Sequence, residues 1–148
     1  MKNTYLLFIL LISAVVTQAQ RTPARLNHIA VYVHNLPRSE AFYINIVQLD
    51  TIANPFRDGK HTWFRIGEHS QLHLIEGATE KIATNKNHHL CFSVPSMDAL
   101  IVNLNKAGIA YEDWPGKKNA VTVRPDGVKQ IYIQDPDGYW IEMNDDKY

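Results

Sequence analysis

Three histidines and one glutamate set the chemistry this chain could perform. His28 stands in LNHIAVYV (Leu26–Val33), His73 in QLHLIE (Gln71–Glu76), His89 in HHLCFSV (His88–Val94) and Glu142 in YWIEMN (Tyr139–Asn144). Each segment is short, apolar and rich in strand-forming residues. A strand sends alternate side chains to opposite faces. Ile29, Val31 and Val33 therefore suit a core, and His28, Ala30 and Tyr32 share the other face. Leu90, Phe92 and Val94 oppose His89, Cys91 and Ser93 in the same way, Leu72 and Leu74 oppose His73, and Ile141 and Met143 oppose Glu142. An imidazole beside a small residue suits a cavity wall better than a core. His28 and His89 are 61 residues apart, and His73 and Glu142 are 69 apart, so the pattern repeats. Two equivalent pairs related by a pseudo-twofold would meet at one point between the repeats. Three imidazoles and a carboxylate there would suit a divalent first-row metal such as zinc, nickel, iron(II) or manganese. Glu142 would double as a base if it can leave the metal. A single strand histidine is usually a hydrogen-bonded structural residue; the repetition is what gives these four a joint role.

The elements that must position them follow the same repeat. After the first strand, Pro37 opens a helix over Arg38–Val47, with Ala41, Phe42, Ile46 and Leu49 on its apolar side. Strands are expected at Leu49–Asn54, His61–Ile66 and Gln71–Glu76, and Gly77–Asn87 reads as a linker. The second copy runs from the His88–Val94 strand to a helix capped by Ser96, apolar at Leu100, Leu104 and Ala107, and ended by Gly108. Strands at Ile109–Trp114, Ala120–Val123, Val128–Gln134 and Tyr139–Asn144 complete it. The fold class is therefore α+β: two tandem βαβββ modules, at about 26–77 and 87–145, whose sheets curve around a shared cavity. Tyr132 and Gln130 alternate with Ile131 and Ile133 and so line that cavity, with Trp63, Arg65 and Trp140 as further shaping residues. His34, His61 and His69 sit near turns and read as solvated, Cys91 as a small packing residue, and Glu76 as structural.

The first residues resemble an export signal. Lys2 precedes the apolar run Tyr5–Val16, and Thr17-Gln18-Ala19 resembles a cleavage site. Residues 1–19 are read as a signal peptide and 20–148 as one domain, which places the protein in the periplasm or outside the cell. The apolar run is short of the roughly 20 residues of a membrane span, so no membrane association is expected after cleavage. The whole chain carries 15 basic and 15 acidic residues, with no basic run or stripe to bind nucleic acid. The single cysteine excludes an internal disulfide framework.

NHIAVYV, QLHLIE, HHLCFSV and DPDGYWIEMN together resemble the vicinal oxygen chelate superfamily, which includes glyoxalase I, extradiol dioxygenases, fosfomycin-resistance enzymes and bleomycin-binding proteins. The resemblance spans Leu26–Asp145 and is most specific at DPDGYWIEMN. It implies metal positions at His28, His89 and Glu142, with the fourth glyoxalase I position at His73. Glyoxalase I commonly has glutamate there, so the resemblance leaves a one-glutamate proton shuttle through Glu142. The implied activity is a glyoxalase I-like isomerase or lyase acting on a small-molecule substrate with adjacent oxygens, through a metal-stabilised enediolate. An iron(II) ring-cleaving dioxygenase and a non-catalytic small-molecule binding protein are the alternatives. A homodimer is a further expectation, since the two units could close within one chain or across two.

Overall fold

The computed structural model describes residues 23–80 and 83–147. The expected signal peptide lies outside them. The elements run β1 (His28–Val33), α1 (Leu36–Asn45), β2 (Thr51–Ile52), β3 (His61–Arg65) and β4 (Gln71–Glu76). The order then repeats as β5 (His89–Ser93), α2 (Met97–Ala107), β6 (Thr122–Val123), β7 (Lys129–Gln134) and β8 (Trp140–Asn144). Each half forms a four-stranded sheet, β1-β4-β3-β2 and β5-β8-β7-β6. The first strand of each half runs parallel to the last, and the remaining pairings are antiparallel. The α+β arrangement of two tandem βαβββ modules is thus the one the periodicity predicts.

Alternation decides the layers. Val31, Val33, Phe64, Leu72 and Leu74 of the first sheet, and Ile131, Ile133, Ile141 and Met143 of the second, are at most 2 % exposed and form the core with the helices. The opposite faces carry the candidate chemistry. Asn35 caps α1 by accepting from Arg38 N at 2.9 Å, and Ser96 caps α2 by accepting from Ala99 N at 3.2 Å. Gly108 ends α2 in the left-handed region at φ 69°.

The buried stripe of α1 is Leu36, Ser39, Phe42 and Tyr43. Ala41 and Ala107, expected on apolar faces, are exposed. Their small side chains are indifferent to burial, and so gave periodicity little to read. Three expected strands also shrink. Leu49–Asn54 pairs only at Thr51–Ile52, Ala120–Val123 only at Thr122–Val123, and Ile109–Trp114 contributes one bridging residue, Glu112, to Tyr132 and Lys118.

The halves are joined through the β7–β8 turn. Asp137 accepts from His34 N at 2.8 Å and from Ser39 Oγ at 2.7 Å, both in the first half. Asp135 accepts from Tyr43 Oη at 3.1 Å, and Tyr139 Oη donates to the Tyr32 carbonyl at 3.2 Å. Burial raises the Asp135 carboxyl above its ordinary value, partly offset by donors from Tyr139 N, Tyr43 and Asp137 N. A cleft of about 380 Å³ runs between the halves, walled by Ile29, Ala30 and Val31 on one side and His88, His89 and Leu90 on the other. Among the described residues no helix is long and apolar enough to cross a membrane.

Candidate functional site

The registers place equivalent residues in equivalent rows. In the first half Ala30, His73 and Trp63 lie side by side across β1, β4 and β3. In the second, Cys91, Glu142 and Tyr132 occupy the corresponding row across β5, β8 and β7. His28 and His89 each stand at the start of the first strand, on the same face as that row.

The first row is a stack of rings. His73 lies over Trp63 with centroids 3.8 Å apart and planes 14° apart, and His28 covers its other face at 4.5 Å and 8°. His73 Nε2 is 2.9 Å from Gln71 Oε1, and His28 Nδ1 is 2.8 Å from Asn27 Oδ1. Burial lowers the His73 pKa, and the nearby His28 and His61 rings lower it further. Trp63 Nε1 is buried with no hydrogen-bond partner. An indole N–H is a donor that normally finds an acceptor when buried.

The second row is a hydrogen-bonded network around one carboxylate. Tyr132 Oη donates to Glu142 Oε2 at 2.5 Å and accepts from Gln130 Nε2 at 2.8 Å. Asn144 Nδ2 and the Cys91 thiol donate to Oε1 at 3.1 and 3.5 Å. Burial pushes the Cys91 thiol up to about 12, with the Glu142 charge adding to the shift. Burial and the Glu142 bond also raise the Tyr132 phenol.

His89 completes this half. Its Nδ1 is 2.7 Å from the Lys86 carbonyl, which can only accept, so Nδ1 carries the proton. Nε2 then faces Glu142 Oε2 at 3.3 Å. On a neutral ring, a lone pair meets a carboxylate oxygen. That juxtaposition calls for a proton or a cation between them, and a backbone carbonyl orienting one imidazole nitrogen is the usual support of a metal-ligating histidine.

Lys86 braces the same corner in a way its place in the linker did not reveal. Its ammonium pairs with Glu112, donates to the carbonyls of Asp113 and Trp114 at 3.0 and 3.1 Å, and lies over the Tyr132 and Trp140 rings at 5.3 and 5.1 Å. His88, the neighbour of His89, lines the cleft. Cys91, expected to be buried packing, is exposed on the site face. Arg65 ends β3 exposed, opposite Gln71. Trp63 and Tyr132 are part of the two rows, and Gln130, opposite Asn144, joins the second through its bond to Tyr132.

The four predicted ligands therefore gather as two pairs, His28 with His73 and His89 with Glu142. Among the described residues no three His, Cys, Asp or Glu side chains form a group able to hold a metal. The expected convergence of both pairs on one point does not occur within the described chain, because each pair is set by its own sheet.

A family model described as the Glyoxalase/Bleomycin resistance protein/Dioxygenase superfamily matches residues 25–143. "Glyoxylase I 4" of Arabidopsis thaliana is 27% identical over 124 residues, covering 80% of this chain and 68% of that protein. A crystal structure of a putative glyoxalase family protein from Bacillus anthracis superposes with a TM-score of 0.66 at 23% identity, over 86% of this chain and 99% of that one. The fosfomycin resistance protein FosX from Mesorhizobium loti superposes at 0.62 with 19% identity, over 83% and 92%. These likenesses extend across both halves and the turn that joins them, and the chain belongs to the glyoxalase/bleomycin resistance protein/dioxygenase superfamily.

Proposed function

We propose that this is an exported, divalent-metal-dependent enzyme of the superfamily, acting as an isomerase or lyase on a small substrate with two adjacent oxygens. The observation that carries the reading is the His89–Glu142 pair. A lone-pair nitrogen aimed at a carboxylate 3.3 Å away, with its other nitrogen fixed by the Lys86 carbonyl, fits a cation held by both. His28 is the third ligand, exposed at the equivalent place in the first half. His73 supports the His28 ring from beneath, since its own Nε2 is engaged by Gln71. Because the two pairs belong to separate sheets, a second copy of the chain brings its His28 to the His89–Glu142 pair. Zinc, nickel, iron(II) or manganese at such a site supplies Lewis acidity toward paired substrate oxygens.

Metal analysis tests this with a built-in control. The wild-type protein should hold about one metal per chain, and His28→Ala and Glu142→Gln should each lose it. Mixing the two variants should restore a quarter to a half of the sites, because one interface in each mixed dimer regains an intact set. No metal in the wild type refutes the reading, and no recovery on mixing refutes the assembly across copies. A second reading, a binding protein without turnover, is favoured by the donors around Glu142. A carboxylate held by Tyr132, Asn144 and Cys91 is a poor candidate to swing away as a base.

A further inference from the structure

The edge strands of the two sheets are guarded unequally. The outer edges, β2 and β6, are two residues long each, whereas the inner edges, β1 and β5, are six and five. An edge is normally blunted by shortness, by lysine or proline, or by a bulge. HIAVYV and HLCFS hold no lysine or proline, and their registers with β4 and β8 run without interruption. The ladders show what these edges offer. The Asn27 and Val33 carbonyls accept from the Gln71 and Gly77 amides at 3.0 Å each. In parallel pairing, alternate residues turn both main-chain groups toward the same neighbour. Ile29 and Val31 therefore bond β4, and Ala30 turns its N–H and C=O away from it. Val94 N donates to the Asn144 carbonyl at 2.7 Å, so Leu90 and Phe92 bond β8 and His89 turns its main-chain groups outward. Among the described residues no turn, loop or cap bond reaches the main-chain groups of Ala30 or His89. Both residues line the cleft of about 380 Å³ between the halves, together with Ile29, Val31 and Leu90. The connector lines it too, fastened where Thr84 Oγ1 donates to the Gly138 carbonyl at 2.7 Å. None of the lining residues is an aspartate, glutamate, lysine or arginine.

We propose that this cleft binds a short, uncharged, apolar peptide segment, added as an extended strand between β1 and β5. The proposal goes beyond the metal reading and needs no metal. Main-chain complementarity carries it: an extended chain turns alternate amides to its two sides, and here each side meets a strand edge with a donor and an acceptor to spare. The size agrees. One extended residue in a sheet takes about 4.8 Å by 3.3 Å by 10 Å, roughly 160 Å³, so the cleft has room for about two to three residues. The walls set the side chains. A residue paired with Ala30 shares the face of the Ala30 and His89 side chains and should be small. Its two neighbours turn to the other face, toward Ile29, Val31 and Leu90, and should be branched and apolar. A charged side chain would meet no counter-charge there.

Acetyl-Val-Ala-Val-amide is the probe, titrated into the protein without added zinc and followed by amide proton–nitrogen NMR. It should shift the Ala30 and His89 amide signals and slow their hydrogen exchange. Methylating the central amide nitrogen of the probe removes one donor and leaves the Ala30 carbonyl without a partner, which should weaken binding at least about tenfold. Putting aspartate at the centre of the probe should weaken it by at least about the same factor. Ala30→Pro deletes an edge N–H that the ladder to β4 does not use, and should also cost about tenfold. Where that variant fails to fold, the methylated and unmethylated probes decide alone. Equal affinity for those two probes, or binding that leaves the Ala30 and His89 amides unmoved, would overturn the proposal. So would slow exchange at both amides without any probe that strengthens as protein concentration rises, since a second copy would then occupy the edges.

Discussion

Replacing Tyr132 by phenylalanine removes one oxygen from the most connected point of the second half. The phenol is 2 % exposed, and its partners Gln130 and Glu142 are each 7 % exposed. Two bonds go at once: the 2.5 Å donation to Glu142 and the 2.8 Å bond accepted from Gln130. A hydrogen bond to a charged group contributes about 1.5–3 kcal/mol, and a buried amide left without its acceptor adds about 1 kcal/mol or more. The ring itself stays, so no large cavity opens. Tyr132→Phe should therefore destabilise the fold by about 2–4 kcal/mol at pH 7. With a urea slope of about 2 kcal/mol per molar, that lowers the denaturation midpoint by roughly 1–2 M. The pH dependence adds a second check. Burial and Glu142 raise the Tyr132 phenol in the folded state, so its contribution is fully present below the unfolded value near 10. It is lost as the pH climbs through the folded value. The gap between wild type and variant should stay constant from pH 6 to 9 and narrow above about 10. A midpoint change under about 0.3 M at pH 7, or a gap that widens in alkali, would show that the network around Glu142 does not hold the carboxylate as described.

Cys91 is exposed, yet burial of its sulfur and the Glu142 charge hold the thiol up to about 12. Its reaction with iodoacetamide at pH 8 should be at least tenfold slower than that of free cysteine, and still rising at pH 10; a plateau by pH 9 would contradict the shift. Gly77 sits at φ +143°, and an added Cβ would lie 2.6 Å from Tyr32 Oη. Gly77→Ala should cost about 1–3 kcal/mol in urea unfolding, and adding Tyr32→Ala should recover only part of it, because the backbone strain remains. Full recovery would mean that the clash was the whole effect.

Alternation along the strands made the two walls legible. His28, His73, His89 and Glu142 all face away from the helices, and Trp63 and Tyr132 flank them at matching positions. The helix caps Ser96 and Gly108 were equally plain, since each satisfies a local backbone demand. What lay beyond reading was long-range or irregular. Lys86 reaches Glu112 from a polar linker, and only the folded chain brings them together. His61 looked like a solvated turn residue because the Asp58 bond depends on the path of the intervening loop. Whether two ligand pairs meet depends on how sheets pack, and side-chain periodicity within a strand carries no information about that.

The acidic turn between β7 and β8 makes the two repeats unequal. Both have the same layout, but among the described residues only the later one extends a carboxylate to the other, to a main-chain amide and a serine about 100 positions upstream. A fragment holding only the earlier repeat would present Ser39 and Tyr43, both at 0 % exposure in the whole molecule, to water. A chain nicked in the connector should therefore stay together as a two-piece complex, and neither piece should persist alone. The duplication is visible in the architecture, but the repeats have become mutually dependent.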